Sequence, residues 1–310
     1  MGQATVSALS PSDARYAALW DASPGRTPFA HPAAVRAFGD AFGLTPRVVA
    51  LGDGSAAVPL FERRRGPLRG AALPPLCPVL RPLLAEPLRE AETHRRASPL
   101  DRLLERLDGE AHQWTLALGD DDLRPYTWAG WTAQPRATYV SDLDGDPQAG
   151  YSSGVRRTLR QSAAFTVGRD DDATAEAVRL MAASYRRGGG ALGLDEGAVV
   201  DLARAFVRAG LAETWTARRG GAVEAAMTVA RDGRRAFYWI GGSRPGPAMT
   251  VLAGAILARL AAEGVATFDW CGANTPSIAE FKRRFGPRLA PAPLVRRVTH
   301  PALRLLDRFR

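Results

Sequence analysis

A mixed α/β or α+β fold in two related halves is what this sequence predicts, and three observations lead there. The length of 310 residues suits two domains at ~150 residues each. A hairpin, a helix and a strand follow one another in each half, and strands alternating with helices make layered folds of this class. Between the halves lies Asp142-Leu143-Asp144-Gly145-Asp146-Pro147, a run of linker composition. The expected domains are therefore 1–145 and 146–310.

In the first half, Pro32 to Phe42 reads as a helix with Val35, Phe38 and Phe42 on one side. Val48 to Leu51 and Ala57 to Phe61 flank Gly52-Asp53-Gly54 and form a hairpin. The Pro-rich stretch from Gly66 to Pro87 is expected to be mostly irregular. Leu100, Leu103, Leu104 and Leu107 mark an amphipathic helix after Ser98-Pro99, and Gln113 to Leu118 a strand. After the linker, Val155 to Ala163 is a basic helix carrying Arg156, Arg157 and Arg160. It suits either a phosphate grip or a solvated helix face. Thr214 to Ala217, Ala225 to Val229 and Ala236 to Ile240 are strands joined at Gly220-Gly221 and Asp232-Gly233. A helix from about Met249 to Glu263 stops at Gly264, and the strand Ala266 to Trp270 follows. The repeated order suggests a structural duplication without close similarity of residues.

Composition narrows the function classes. With 46% hydrophobic and 24% charged residues, the chain can bury a normal core. Its most apolar stretch, Ala248 to Ala258, is cut by Arg259, short of the ~20 residues that span a bilayer. No cleavable signal is visible, so a cytoplasmic protein is expected. Cys77 and Cys271 read as free thiols, and four scattered histidines argue against a metal site. The net charge of +9 suits a polyanionic partner such as RNA, a nucleotide sugar, a CoA ester or an anionic membrane, or an arginine-rich solvated surface.

Of 41 basic residues only one, Lys282, is lysine. Arginine replaces a lysine kept for surface charge, but not one needed as a compact or deprotonatable ammonium. The segment around it runs from Phe268 to Pro287. A strand ends at Trp270; Gly272, Asn274 and Pro276 make a loop; Ser277 and Glu280 suggest a capping box; and Gly286-Pro287 stops the helix. Lys282 falls about 40° from Ile278 on the helical wheel, on the apolar stripe with Phe285, while Arg283 and Arg284 point away. A desolvated ammonium is paired or functional.

The run Phe268-Asp269-x-Cys271-Gly272-Ala273-Asn274-x-Pro276-Ser277-Ile278-Ala279-x-Phe281-Lys282-x-x-Phe285-Gly286 resembles FemAB-like proteins of the GNAT superfamily. Thr27 to Pro32, Gly130-Trp131 through Leu143, and Tyr238 to Ser243 are similar to other segments of that family. The resemblance implies two tandem GNAT-like domains, each a mixed central sheet flanked by helices. It also implies an acyltransferase that forms an amide by acyl or aminoacyl transfer to an amine. In the peptidoglycan branch the donor is aminoacyl-tRNA and the acceptor a cell-wall precursor; other branches act on natural-product precursors. The family's Phe-Lys pair maps onto Phe281 and Lys282, and its basic helix onto Arg157 and Arg160, where acceptor phosphate would bind.

The chemistry implied is attack of an amine on an ester or thioester carbonyl, with Lys282 stabilising the developing oxyanion. Asp269 is a candidate base or a strand-end structural carboxylate. Tyr238, Trp270 and Asn274 are candidate substrate-binding residues; a core tyrosine and a turn-forming asparagine are the alternatives. No histidine lies near Cys271 in sequence, so packing is favoured over a nucleophilic thiol. No tightly bound cofactor is expected. The co-substrate is aminoacyl-tRNA or an acyl thioester such as acyl-CoA. Arg244-Pro245-Gly246-Pro247 stands where GNAT proteins grip CoA pyrophosphate, one residue short of their spacing and with two prolines that lack N–H groups. A carrier-protein-dependent N-acyltransferase and a non-catalytic RNA- or glycan-binding relative are the rival readings. The expected partners are tRNA and an amine-bearing anionic acceptor. The basic helix Pro301 to Arg310, with Leu303, Leu306 and Phe309 opposite Arg304 and Arg308, suggests peripheral membrane contact or docking on the protein. The protein is expected to be a monomer.

Overall fold

The computed structural model describes residues 6–119 and 121–307. They form two compact units, Met1–Arg136 with Pro291–Arg310, and Ala137–Ala290. Unit 1 runs β1 (Val6–Leu9), α1 (Ala14–Ala22), α2 (Pro32–Phe42), β2 (Thr45–Leu51), β3 (Ala56–Arg65), β4 (Leu68–Ala72), β5 (Leu83–Leu84), α3 (Glu90–His94), α4 (Pro99–Glu110), β6 (Gln113–Ala117), α5 (Arg124–Trp128) and β7 (Thr132–Gln134). Unit 2 runs β8 (Ala137–Asp142), α6 (Ser153–Arg160), β9 (Thr166–Arg169), α7 (Thr174–Arg187), α8 (Glu196–Arg208), β10 (Ala212–Arg219), β11 (Ala222–Arg231), β12 (Arg235–Ser243), α9 (Ala248–Ala262), β13 (Thr267–Asp269), α10 (Pro276–Arg283) and β14 (Arg288–Pro291). The chain ends with β15 (Leu294–Val298) and α11 (Pro301–Asp307).

The expected helices form where the apolar spacing places them, and their ends are satisfied locally. The α2 helix has Pro32 at its first position and accepts Ala33 N–H on the His31 ring, then stops at Gly43 in the left-handed region. Ser98 and Asp101 cap α4 reciprocally. The stretch Gly66–Pro87 is mostly irregular, as expected, with the short strands β4 and β5 inside it. Their strand character comes from pairing: β4 lies between β3 and β6, and β5 pairs with β3. The β3–β4 pair is a hairpin turning at Gly66-Pro67, whereas the β4–β6 and β3–β5 pairings join more distant segments and leave no periodic trace in a Pro-rich stretch.

The sheet orders are β1-β2-β3-β4-β6-β15-β7 in unit 1 and β14-β8-β13-β12-β11-β10-β9 in unit 2. Read from opposite ends they match position by position. Each has one parallel pair at the same place, β4 with β6 and β12 with β13. In each, the next strand is antiparallel: β15 on β6, and β8 on β13. The duplication expected from the order of elements is thus present in topology. Asp142 pairs with Thr267 at the end of β8, so the division falls at 136/137. The linker-like run 142–147 lies inside unit 2, and the last strand of unit 1 is supplied by the chain's C-terminal segment.

The core of unit 2 forms between its sheet and α9, whose side chains from Ala248 to Leu260 are mostly buried. Leu252, Ile256, Val229, Phe268, Trp270 and Phe285 belong to one cluster. Val155 and Leu159 of α6 join it, Leu159 lying against Gly254 of α9. Gly286 closes α10 with φ +70. A Cβ there would sit 2.3 Å from the Gly150 carbonyl oxygen, so this close crossing requires glycine. Beyond β15, α11 spans Pro301–Asp307, where Arg304 Nε donates to Val298 O at 2.8 Å. Arg308 and Phe309, part of the expected amphipathic face, lie outside the described residues.

Candidate active site

The site forms where two parallel strands part. β12 and β13 pair only at Arg235–Thr267, Ala236–Phe268 and Phe237–Asp269. β12 then continues to Ser243 against β11, with a bulge at Tyr238–Trp239, while the chain after Asp269 turns away. Tyr238, at the first position beyond the paired stretch, stacks on Trp270 with ring centroids 6.2 Å apart.

The turn after β13 is an organised loop. Cys271 takes φ 53, uncommon for a non-glycine residue, and Gly272 takes φ 107. Asp269 Oδ1 accepts the Cys271 N–H at 2.7 Å and the Thr138 hydroxyl at 2.5 Å. Thr138 Oγ1 in turn accepts the Gly272 N–H at 2.9 Å. Asn274 pairs its side-chain amide with both the N–H and the carbonyl of Ala137, at 3.0 and 2.9 Å. With its amides held in this way, the loop turns three successive carbonyls toward one point.

Lys282 occupies that point. Its ammonium donates to Trp270 O, to Gly272 O at 2.9 Å and to Cys271 O at 3.4 Å. It also lies 5.5 Å from the centre of the Tyr238 ring, within cation–π range. The residue is 5% exposed, and among the described residues no carboxylate forms an ion pair with it. Burial pushes its pKa below the usual lysine value, while the Cys271 and Asp269 charges pull it back up. Asp269 is shifted upward by burial, opposed by Thr138, the Cys271 N–H and Lys282.

Six of the residues singled out in the sequence meet here: Lys282, Phe281, Asp269, Tyr238, Trp270 and Asn274. Their placement is uneven. Phe281 packs edge-on against Trp270 and Phe285. Trp270 is fully buried and gives its indole N–H to Ser141 at 3.0 Å, so its ring is core and only its carbonyl faces the ammonium. Asn274 acts as a backbone clamp. Asp269 spends Oδ1 on two donors, the Cys271 N–H in the loop and the Thr138 hydroxyl on β8, which is the geometry of a strand-end structural carboxylate; the base role gains no support from these contacts. The Tyr238 hydroxyl approaches Met249 Sδ at 3.7 Å, and burial raises its pKa.

Arg157 and Arg160 are not part of this cluster. They lie exposed on α6 with Arg156, opposite the Val155 and Leu159 face, and none of the three has an ion-pair partner among the described residues. Two local expectations fail on α10. Its N-cap is Thr275 without a side-chain cap bond, because Glu280 is drawn to Arg283 instead. Ile278 is 43% exposed, so Lys282 is buried with Phe281 and Phe285 and not along an Ile278 stripe; Arg283 and Arg284 do face out. Thr138 was missed: it lies far from Asp269 in sequence, and only the pairing of β8 with β13 brings them together.

The β12–α9 junction bears on the donor. The Arg244 N–H is spent on Glu224 O at 2.8 Å, and Pro245 and Pro247 have none. The first turn of α9 has no side-chain cap and no acidic residue, so the amides of Ala248, Met249 and Thr250 remain there for an anion. A CoA pyrophosphate would meet fewer loop donors here than a glycine-rich junction supplies.

Residues 150–283 match the family model of the acetyltransferase (GNAT) domain. Over the whole molecule, the crystal structure of FemX superposes with a TM-score of 0.75 at 12% identity, covering 98% of this chain and 100% of that one. The chain has the FemAB-like tandem GNAT fold. The same fold is shared with L-PGS from Bacillus licheniformis, with TM-score 0.60, 14% identity, and 96% and 95% of the two chains covered. It is also shared with a tandem GNAT protein from the clavulanic acid biosynthesis pathway, with TM-score 0.55, 16% identity, and 96% and 99% covered. No curated protein sequence matches the chain. Lys282 lies within the segment that the acetyltransferase (GNAT) model matches, and acyl transfer is the class of chemistry that match supports. No helix among the described residues is long and apolar enough to cross a membrane.

Proposed function

We propose that this tandem GNAT protein forms an amide by moving an acyl or aminoacyl group from an ester or thioester to an amine on an anionic acceptor. The observation that carries this is Lys282: a buried ammonium, without a carboxylate in contact, at the point where β12 and β13 part. The amine nitrogen attacks the carbonyl carbon, the carbonyl π electrons move onto oxygen, and collapse expels the donor's alcohol or thiol as the amine loses a proton. Positive charge beside that oxygen stabilises the intermediate, and loss of a comparable oxyanion donor costs about 3 kcal/mol. The Cys271 contact at 3.4 Å is the weakest of the three, so the hydrogen it engages is the one most readily turned toward an acyl oxygen. Phe281 holds the helix that carries the lysine against Trp270. Arg157 and Arg160 supply exposed guanidinium groups for the acceptor's phosphates, as a cell-wall or natural-product precursor would present.

For the donor, the proline-interrupted β12–α9 junction favours aminoacyl-tRNA over acyl-CoA. The chain is incubated with an extract competent for amide formation, with and without RNase and with and without added acyl-CoA. Abolition by RNase supports the tRNA donor. Activity that survives RNase and requires acyl-CoA rejects it and leaves the thioester reading. Activity of Lys282→Met equal to the parent rejects the oxyanion role.

A further inference from the structure

We infer that Thr138 is a positioning residue for Lys282, acting through the Asp269–Gly272 loop. Thr138 sits on β8 and is 5% exposed. Its hydroxyl bridges two groups around the left-handed turn. It donates to Asp269 Oδ1 at 2.5 Å and accepts from Gly272 N at 2.9 Å. The first contact favours the ionised carboxylate, whose charge supports the ammonium. The second fixes the Gly272 peptide, whose carbonyl is one of the three oxygens on Nζ. The left-handed Cys271 lies between these anchor points, so the chain on both sides of it is tied to one hydroxyl. Hydrogen bonds to a charged group are shorter and stronger than neutral ones, and a buried array of this kind is sensitive to loss of a single member.

The inference rests on Lys282 being the reacting cation, but its test does not. The chain contains one lysine, so carbon-13 or nitrogen-15 lysine labelling yields a single side-chain NMR signal whose pH titration reports Lys282 directly, without substrate. Facing Lys282 are Asp269 from β13, Cys271 from the loop and the Tyr238 ring from β12; facing Asp269 are Lys282 and Arg235. Removing the Thr138 hydroxyl frees the Asp269 carboxylate to turn away from the loop, and it releases the Gly272 peptide. Both changes weaken the hold on the ammonium, so the Lys282 midpoint moves down. Thr138→Val is expected to weaken proton binding at Lys282 about tenfold, a fall of about one on the pH scale, and Thr138→Ser to restore it. Thr138→Ala carries the same expectation should Thr138→Val not fold. An unchanged midpoint in the folded hydroxyl-free variant overturns the inference, as does a shift that Thr138→Ser fails to reverse. A purely structural role would lower the melting temperature and leave the midpoint in place.

Discussion

At the scale of single residues, the site is a cation held by backbone. Lys282 gains three carbonyl contacts in exchange for water, and its burial sets its chemistry. Because burial disfavours the ammonium, the folded state binds this proton less tightly than the unfolded chain. The unfolded chain therefore holds more protons between the two pKa values, and global stability rises with pH through that interval. Activity runs the other way, since the charged form is the one that stabilises an oxyanion. The rate–pH profile is expected to fall on its alkaline side below the usual lysine range, and this limb should vanish in Lys282→Met. The same variant should lose about 10²–10³-fold in kcat. It should also lose about 1–3 kcal/mol of stability as buried carbonyls are left without a donor, read from denaturant unfolding. Arginine cannot rescue it, because a planar guanidinium does not fill a point between three converging oxygens.

At the scale of elements, two predictions separate binding from folding. The α6 helix turns Val155 and Leu159 to the core and Arg156, Arg157 and Arg160 to solvent. A double Arg157→Glu, Arg160→Glu variant should keep its melting temperature while the acceptor KM rises at least tenfold, with a weaker dependence on salt than the parent shows. An unchanged KM would detach this face from the acceptor. The turn after α10 behaves differently. Gly286→Ala must place a methyl group on the Gly150 carbonyl at positive φ, so a stability loss of about 2–4 kcal/mol is expected from combined strain and displacement, measured as a lower melting temperature. Since Gly286 ends the helix that carries Lys282, activity should fall with it.

At the scale of the whole molecule, the two sheets have the same order but complete themselves differently along the chain. Unit 2 is continuous from 137 to 290. Unit 1 receives β15 only from the C-terminal segment, where it pairs with β6 and with the three-residue β7. A chain ending at Ala290 should therefore lose protection across β6 and β7 in hydrogen exchange while β10, β11 and β12 keep theirs. Equal protection in both units would show that β15 is dispensable. The same arrangement means that unit 1 cannot finish its sheet until β15 has been synthesised, a long-range pairing of the kind that slows folding.

The sequence by itself determined the helices with clear apolar spacing and capping, the hairpins at glycine turns, the repeated order of elements, and Lys282 as the buried cation. These follow from local periodicity, turn chemistry and the inability of arginine to stand in for a compact ammonium. Tertiary structure alone decided the rest. It placed two short strands in the mostly irregular 66–87 stretch by pairing β4 with β6 and β5 with β3, and set the division between units at 136/137. It also gave Trp270 and Asn274 structural tasks and brought Thr138 to Asp269. Each depends on which backbones lie side by side, and pairing between segments distant in the chain, β8 with β13 above all, leaves no mark on either local sequence.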